Sequence, residues 1–212
     1  DLGISEERIS TLPKKDNWWG PAGQTGPCGP DSEMFYWVGE SEFPPAGSNV
    51  KTDEENWLEI WNDVFMQYTK NADGTFSLSE QQNVDTGMGV ERVVAVLNGY
   101  KEVYRVDTLW PIVEVVEAVS GKTYDAEKQS MRVIVDHLRA ATMIMGDTLG
   151  VAPSNMDQGY VVRKLIRRSI RHGKKLGIET NFCVDIAKKS IEVLGSVYTE
   201  LEKNKEFVLR EI

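Results

Sequence analysis

The hydrophobic period of the chain changes near residue 100, and this change sets the fold class. Residues 57–68 alternate at period two, with mainly aliphatic residues on one face and aromatic residues on the other, as in a β-strand. Farther along the chain, apolar residues recur at helical spacing. We therefore predict an α+β chain in which a mixed segment, residues 1–99, precedes an all-α segment, residues 100–212.

Turn residues divide these segments into elements. Prolines and glycines recur over residues 13–32, which excludes a long helix and predicts a structured loop before a short strand at 33–38. NADGT at 71–75 predicts a hairpin turn. The predicted helices are 90–97, 108–119, 127–145, 158–173, 181–194 and 197–211. The third of them carries an apolar stripe of Met131, Ile134, Val135, Leu138, Ala141, Thr142 and Met145.

The segment VDTGMGVER, residues 84–92, has the residue types of a phosphate-binding turn. A strand ending at Asp85 is predicted to feed a glycine turn that opens a helix, with Arg92 in the first helical turn. Glycine lets a ligand approach the backbone, a helix N-terminus favours anions, and a guanidinium binds phosphate. A dinucleotide-binding loop would need a third glycine where Arg92 stands, so that class is excluded. An ordinary strand–turn–helix with a surface arginine stays an open alternative.

The loop from Trp18 to Glu33 is stiffened by proline and could form a pocket wall with its indoles. A packed, irregular connection is the alternative. Cys28 lies in this loop, but no histidine is near it in sequence to activate a nucleophile. We therefore expect no catalytic nucleophile among these residues.

A strongly basic block interrupts an acidic chain. The net charge of −9, taken alone, argues against nucleic acid. Between Tyr160 and Ile178, however, the chain has seven Lys or Arg residues and no Asp or Glu. The basic residues recur along one side of a predicted helix and comprise Arg163, Lys164, Arg167, Arg168, Arg171 and Lys175. Because no acid is interleaved, we predict contact with nucleic acid or phosphate, with a merely solvated face as the alternative.

Asn155 precedes this helix in the loop GVAPSNMDQGY. An asparagine there could read a base edge, or it could cap the helix that follows. Both interpretations stay open at this point.

Cysteine and histidine usage indicates a cytoplasmic protein. The two cysteines, Cys28 and Cys183, are too few and too distant for a disulfide framework, and with only two histidines no zinc site is expected. No apolar run approaches the roughly 20 residues of a membrane helix. The first residues, DLGISEERIS, resemble neither a signal nor a transit peptide.

Several segments, taken in order, resemble the alanyl-tRNA synthetase family. NWWGPAGQTGPCGPDSE and LEIWNDVFMQY are similar to its T-G-P-C-G-P-C-S-E loop and E-I-W-N-x-V-F-M-Q-Y strand, and VDTGMGVER resembles its third class II motif. VIVDHLRAATMIMGDT and PSNMDQGYVVRKLIRRSIRHG follow in the family's order. The resemblance covers nearly the whole chain. It implies the C-terminal half of a class II antiparallel-sheet domain, followed by a helical domain that recognises the tRNA acceptor stem.

The resemblance also implies two small-molecule sites. Asp85 would bind the alanine ammonium, and the remaining alanine-binding residues would be Trp19, Asn62, Val64 and Gly87. The ATP-binding residues would be Gly87, Gly89 and Arg92. Mg²⁺ would accompany ATP, with no ligand assignable here. Adenylation of this kind depends on positioning and charge stabilisation more than on a protein nucleophile.

For tRNA(Ala), the resemblance implies that Asn155 reads the G·U wobble pair of the acceptor stem. The six basic residues of the 158–173 helix and its extension would hold the RNA backbone. This division follows the rule that phosphate contacts position and base contacts specify.

The chain departs from the family pattern in ways that affect the predicted function. The first two class II motifs and the editing domain have no counterpart in it, so we expect that the chain alone does not form alanyl-adenylate. Asp31 stands where many members have a second cysteine.

The principal prediction is that the chain forms part of an alanine–tRNA ligase. The alternatives are a non-catalytic RNA-binding relative and a helical module whose basic face binds another polyanion.

Overall fold

A computed structural model describes residues 3–21 and 23–212 of the chain. The chain divides into two compact units, the first ending at Val103 and the second beginning at Tyr104. The boundary lies four residues beyond the end of the mixed segment defined from the sequence. Each unit is described separately below.

The first unit contains the strands and one helix. Its elements are β1 (Trp18–Trp19), β2 (Gly26–Trp37), β3 (Trp57–Lys70), β4 (Phe76–Met88) and α1 (Val90–Leu97), with 3₁₀ turns at Glu6–Arg8 and Glu54–Asn56. The second unit is helical. Its elements are α2 (Trp110–Ser120), α3 (Lys128–Gly146), α4 (Asp157–Leu176), α5 (Cys183–Leu194), α6 (Thr199–Lys203) and α7 (Lys205–Glu211), and a 3₁₀ turn at Val103–Arg105 precedes them. The α+β class predicted from the change of period is confirmed.

The strands form an antiparallel sheet in the order β1-β2-β3-β4. The predicted hairpin turn at 71–75 is confirmed, since it joins β3 to β4. Within it, Asn71 N–H donates to the Thr75 carbonyl oxygen at 2.8 Å, and Thr75 N–H donates to the Asp73 carboxylate at 2.9 Å. This local turn brings the two longest strands of the sheet into pairing.

The prediction of a loop up to residue 32 was wrong. β2 begins at Gly26, and Trp18–Trp19 pair with Gly29 and Pro30. The reason is a long-range contact: a Cβ added at Gly29 would stand 1.7 Å from the Phe65 carbonyl oxygen of β3. The absence of a side chain therefore lets the two strands approach, beside a register irregularity between Cys28 and Asp31. Local proline and glycine signals cannot reveal such a pairing.

The end of β4 also differs from the sequence prediction. Thr86, Gly87 and Met88 were expected in a turn, but they continue the strand and pair with Asp63, Asn62 and Trp61. Only Gly89 separates β4 from α1. The helix itself, Val90–Leu97, has the predicted bounds.

In the second unit, α3 packs against α2, α4, α5, α6 and α7. All seven residues of its predicted apolar stripe are buried. The amphipathic period thus located the core correctly. α4 buries one side, with Val162, Ile166 and Leu176 inward, and leaves its charged side exposed.

Gly29→Ala is expected to destabilise the first unit strongly. Its methyl group would overlap the β3 backbone, and overpacking of this kind costs roughly 1–3 kcal/mol or more. Gly20→Ala is the matched control, because a Cβ at Gly20 meets nothing within 4 Å. Unfolding in denaturant measures both variants, and equal stability of the two would contradict the assigned close approach.

Candidate functional site

Cross-strand pairing assembles two rows of side chains on one face of the sheet. Val64 on β3 pairs with Asp31 on β2 and with Asp85 on β4. Two residues along each strand, Asn62 pairs with Glu33 and with Gly87. Directly paired residues of antiparallel strands point to the same side, and so do residues two apart in a strand. The two rows therefore share one face.

β1 lies beside β2 and pairs Trp19 with Gly29. The register irregularity between Cys28 and Asp31 interrupts the alternation of side chains along β2 at this point, so Trp19 is placed by strand and not by face. Trp18 pairs with Pro30, its ring lies 5.5 Å from that of Tyr68, and Lys14 lies over it at 3.9 Å. The site face is thus defined by Asp31, Glu33, Asn62, Val64, Asp85 and Gly87, and Trp19 lies on the adjoining strand β1.

The site face has a small apolar floor with polar surroundings. Val64 is only 4% exposed, whereas Trp19 is 37% exposed and Asp85 is exposed. Four of the five residues predicted for alanine lie on this face, and the fifth, Trp19, lies on the adjoining strand β1. A carboxylate, a short buried aliphatic side chain and an indole edge can together hold an ammonium group next to a small apolar substituent.

Two acidic residues of this face were not selected from the sequence as site residues. Burial raises the pKa of the Asp31 carboxyl above its ordinary value of 3.8, and Glu59 raises it further against the lowering effect of a backbone hydrogen bond. Burial also raises the pKa of Glu33, followed by repulsion from Glu59 and Asp31, while Arg92 lowers it. The Oδ1 atom of Asp31 is buried and has no hydrogen-bond partner among the described residues. The sequence signal that could have identified them is their spacing, since Asp31 and Glu33 stand two residues apart in one strand.

Arg92 is fixed at the start of α1 by β3. Its Nη1 donates to the Glu59 carbonyl oxygen at 2.8 Å and to the Glu59 carboxylate at 3.0 Å. The side chain is 43% exposed, and a guanidinium carries donors on three nitrogens, so the group can also reach an anion.

Gly87 and Gly89 leave room for two side chains of this protein. A Cβ at Gly87 would lie 2.8 Å from Asn62 Oδ1, and one at Gly89 would lie 2.9 Å from Arg92 Cδ. The sequence analysis predicted that both glycines allow a ligand to approach the backbone closely. In the structure, the Asn62 side chain occupies the space beside Gly87, and the Arg92 side chain occupies the space beside Gly89.

Neither cysteine can act as an exposed nucleophile in this structure. Cys28 is fully buried, and burial raises the pKa of the Cys183 thiol to about 11. Within the described residues, no group of three or more His, Cys, Asp or Glu side chains is placed to hold a metal ion.

A separate cavity of about 680 Å³ lies in the first unit beside β2. It is bordered by the segment from Ile4 to Leu12, by Ser48–Val50 and by Trp57, and it touches Asp31 and Glu33. It includes neither Asp85 nor Arg92. The predicted small-molecule residues therefore occupy an open sheet face and not this cavity.

In the second unit, α4 displays the predicted basic residues. Lys164, Arg167, Arg168, Arg171 and Lys175 are exposed, and Arg163 is half-buried; together these six form the basic face. Tyr160 and five of the six line a shallow cavity of about 260 Å³. No ion pair joins the basic face to a carboxylate within the described part of the chain.

His172 and Ile170 are exceptions to the division of α4 into a charged, exposed side and an apolar, buried side. His172 follows the basic stripe in sequence, but it is buried and lies 3.2 Å from Ser130 Oγ through its Nδ1. Burial lowers its pKa, and Lys175 and Arg168 lower it further. Ile170, although apolar, is 38% exposed. The positive charge of α4 therefore comes from lysine and arginine.

Asn155 does not cap α4. The N-cap is Met156, with no side-chain cap hydrogen bond, and Ser154 Oγ makes the local bonds to the Met156 backbone. The Asn155 side-chain oxygen accepts a hydrogen bond from the Arg163 guanidinium. The capping interpretation is wrong, and the asparagine is tied to the basic face.

Asp31→Asn is expected to stabilise the protein at neutral pH. Because the folded-state pKa of Asp31 is raised, ionisation weakens the fold as the pH rises through that pKa. The variant cannot ionise, so its advantage should be present at pH 7 and vanish below the ordinary carboxyl pKa of 3.8. Thermal midpoints of the variant and the parent across this pH range measure the difference. If the variant gains nothing over the parent as the pH rises to 7, the assigned cost of burying the Asp31 charge is contradicted.

Comparison with known proteins places the chain in a family. It is 50% identical over 213 residues to an alanine–tRNA ligase of Treponema denticola, which covers 98% of this chain and 35% of the relative. The corresponding protein of Treponema pallidum is 47% identical over 216 residues, covering 100% of this chain and 35% of the relative. The chain thus spans about a third of the length of these relatives.

Among residues 3–21 and 23–212, none of the helices combines the length and the apolar character of a membrane span. The sequence model of the family described as tRNA synthetases class II (A) matches residues 1–212. The antiparallel sheet with its paired site residues, the helical unit and this full-length match lead to one conclusion: the chain belongs to the class II (A) tRNA synthetase family.

Proposed function

We propose that this chain is part of a cytoplasmic alanine–tRNA ligase, which activates alanine with ATP and transfers it to tRNA(Ala). The observation that carries the proposal is the row Asp31–Val64–Asp85 on one sheet face, with Trp19 on the adjoining strand. A module that only bound RNA would have little use for a carboxylate beside a small apolar floor. The non-catalytic alternative would need only α4 and the loop before it.

In the proposed first step, Asp85 binds the alanine ammonium. A charge-assisted hydrogen bond of this type is roughly twice as strong as a neutral one. Val64 lies under the substrate methyl group, and Trp19 and Asn62 limit the space beside it. This arrangement orients the alanine carboxylate toward the ATP α-phosphate, which is the attack that forms alanyl-adenylate and releases diphosphate.

Arg92 is the proposed contact to the ATP phosphates. Its anchorage to Glu59 fixes the guanidinium before substrate arrives, so little ordering remains to be done on binding. Gly87 and Gly89 would border ATP, in addition to seating Asn62 and Arg92. Mg²⁺ is expected to accompany ATP, but the described carboxylates do not form a metal-holding group, so no residue is assigned to it.

The basic face of α4 is the proposed contact to the acceptor stem of tRNA(Ala). Five of its six side chains are exposed, and within the described residues none of the six is ion-paired to a carboxylate, so they can replace the counterions of RNA phosphates. Asn155 stands next to this face and is the proposed reader of the G·U pair. The backbone contacts would set the register, and the asparagine would supply specificity.

Asp85→Ala in the full-length protein should lower alanine-dependent ATP–pyrophosphate exchange by about a hundredfold or more. Loss of one partner of a charge pair costs roughly 2–5 kcal/mol, and each 1.4 kcal/mol is a factor of ten. Asp63→Ala is the matched control, since Asp63 is the neighbouring β3 acid and pairs with Thr86 on the opposite face. Near-normal exchange in Asp85→Ala would remove Asp85 from the alanine site.

Neutralising Arg167 and Arg171 together should weaken tRNA binding and reduce its dependence on salt. Each lost phosphate contact lowers the slope of log K against log salt by about one. Lys188→Gln on α5 is the control, because Lys188 is exposed but lies 3.9 Å from the Asp185 carboxylate. Titration of the full-length protein at several salt concentrations gives the slopes. An unchanged slope in the arginine variant would mean that the basic face is only solvated.

A further inference from the structure

Arg163 differs from the other basic residues of α4 in its surroundings. The rest of the basic face is exposed, whereas Arg163 is half-buried and donates to the Asn155 side-chain oxygen eight residues earlier. The contact links the first turns of α4 to the loop that precedes it. The sequence offered no sign of this pair, because Arg163 shares the spacing of Arg167 and Arg171.

The chemistry of the contact fixes the direction of the asparagine amide. An amide has an accepting oxygen at one end and a donating NH₂ group at the other, and the two are easily exchanged by a half-turn of the side chain. A guanidinium only donates, so it holds the oxygen end and disfavours the flipped amide. The NH₂ group of Asn155 is then directed away from Arg163.

We propose that Arg163 is a positioning residue that presents the Asn155 NH₂ group to a hydrogen-bond acceptor on a base edge of the acceptor stem. This inference rests on the proposed function of the basic face and Asn155. The wide, shallow minor groove of an RNA helix exposes base edges, where the acceptors are purine N3 and pyrimidine O2. In a G·U wobble pair the uracil is displaced, so its O2 occupies a different place from the cytosine O2 of a G·C pair. A donor held in one direction can distinguish the two positions, whereas a freely turning amide cannot.

The structure also separates this role from phosphate binding. A phosphate contact adds to affinity for every acceptor stem alike, whereas positioning of Asn155 affects only the choice between base pairs. Arg171 lies on the same helix and is exposed, and none of the hydrogen bonds described for Asn155 involves it. Arg171→Gln is therefore the matched control for Arg163→Gln.

The test uses the full-length protein and two acceptor-stem RNA duplexes that differ only in a G·U or a G·C pair. We expect Asn155→Ala and Arg163→Gln each to reduce the ratio of the two affinities by about tenfold, the usual size of one base contact. The double variant should lose no more than either single variant, because the two residues act as one unit. Arg163→Lys, which like arginine only donates, should recover part of the ratio that the donating and accepting amide of Arg163→Gln loses, and Arg171→Gln should weaken both duplexes equally.

Two results would overturn the inference. If Arg163→Gln weakens both duplexes equally while Asn155→Ala loses discrimination, Arg163 is a phosphate contact and only the positioning role fails. If Asn155→Ala keeps full discrimination, the proposed reading of the pair by Asn155 fails and the inference fails with it. Thermal midpoints equal to that of the parent show that the variants are folded. If Arg163→Gln is unstable, the ratio of the two affinities measured for Arg163→Lys distinguishes positioning from phosphate binding.

Discussion

The register of β2, β3 and β4 is the constraint on which the candidate small-molecule site depends. It brings Asp31, Val64 and Asp85 into one row, although they are far apart in sequence. A slip of one residue would turn every one of these side chains to the opposite face. Gly29 helps to hold the register, because only a residue without a side chain lets β2 approach the Phe65 carbonyl of β3.

Charge is divided between the two units in a way that suits the proposed substrates. The site face carries acids whose pKa values are raised, first by burial and then by repulsion from neighbouring carboxylates, and such a face favours a cationic group. α4 carries the opposite charge, and its buried side packs on α3. The buried His172, whose pKa is lowered by burial and by the neighbouring lysine and arginine side chains, lies between the packed and the charged sides of that helix.

Local patterns predicted what depends on local physics. The bounds of α1 and the buried stripe of α3 follow from helical period, and the 71–75 hairpin follows from its turn residues. The early start of β2 at Gly26 could not be predicted, because it depends on contact with β3. The same holds for the site: Asp85 and Arg92 stood out as chemistry-bearing residues, but Glu59 as the anchor of Arg92 and Arg163 as the partner of Asn155 required the fold.

The central claim is that Asp85 binds an ammonium group above the Val64 floor. The most direct test is calorimetric binding of a non-hydrolysable alanyl-adenylate analogue, and of the same analogue without its amino group, to the full-length protein and to Asp85→Ala. The account predicts that the parent binds the amino form far more tightly and that Asp85→Ala binds both forms about equally. An equal preference for the amino form in both proteins would contradict it.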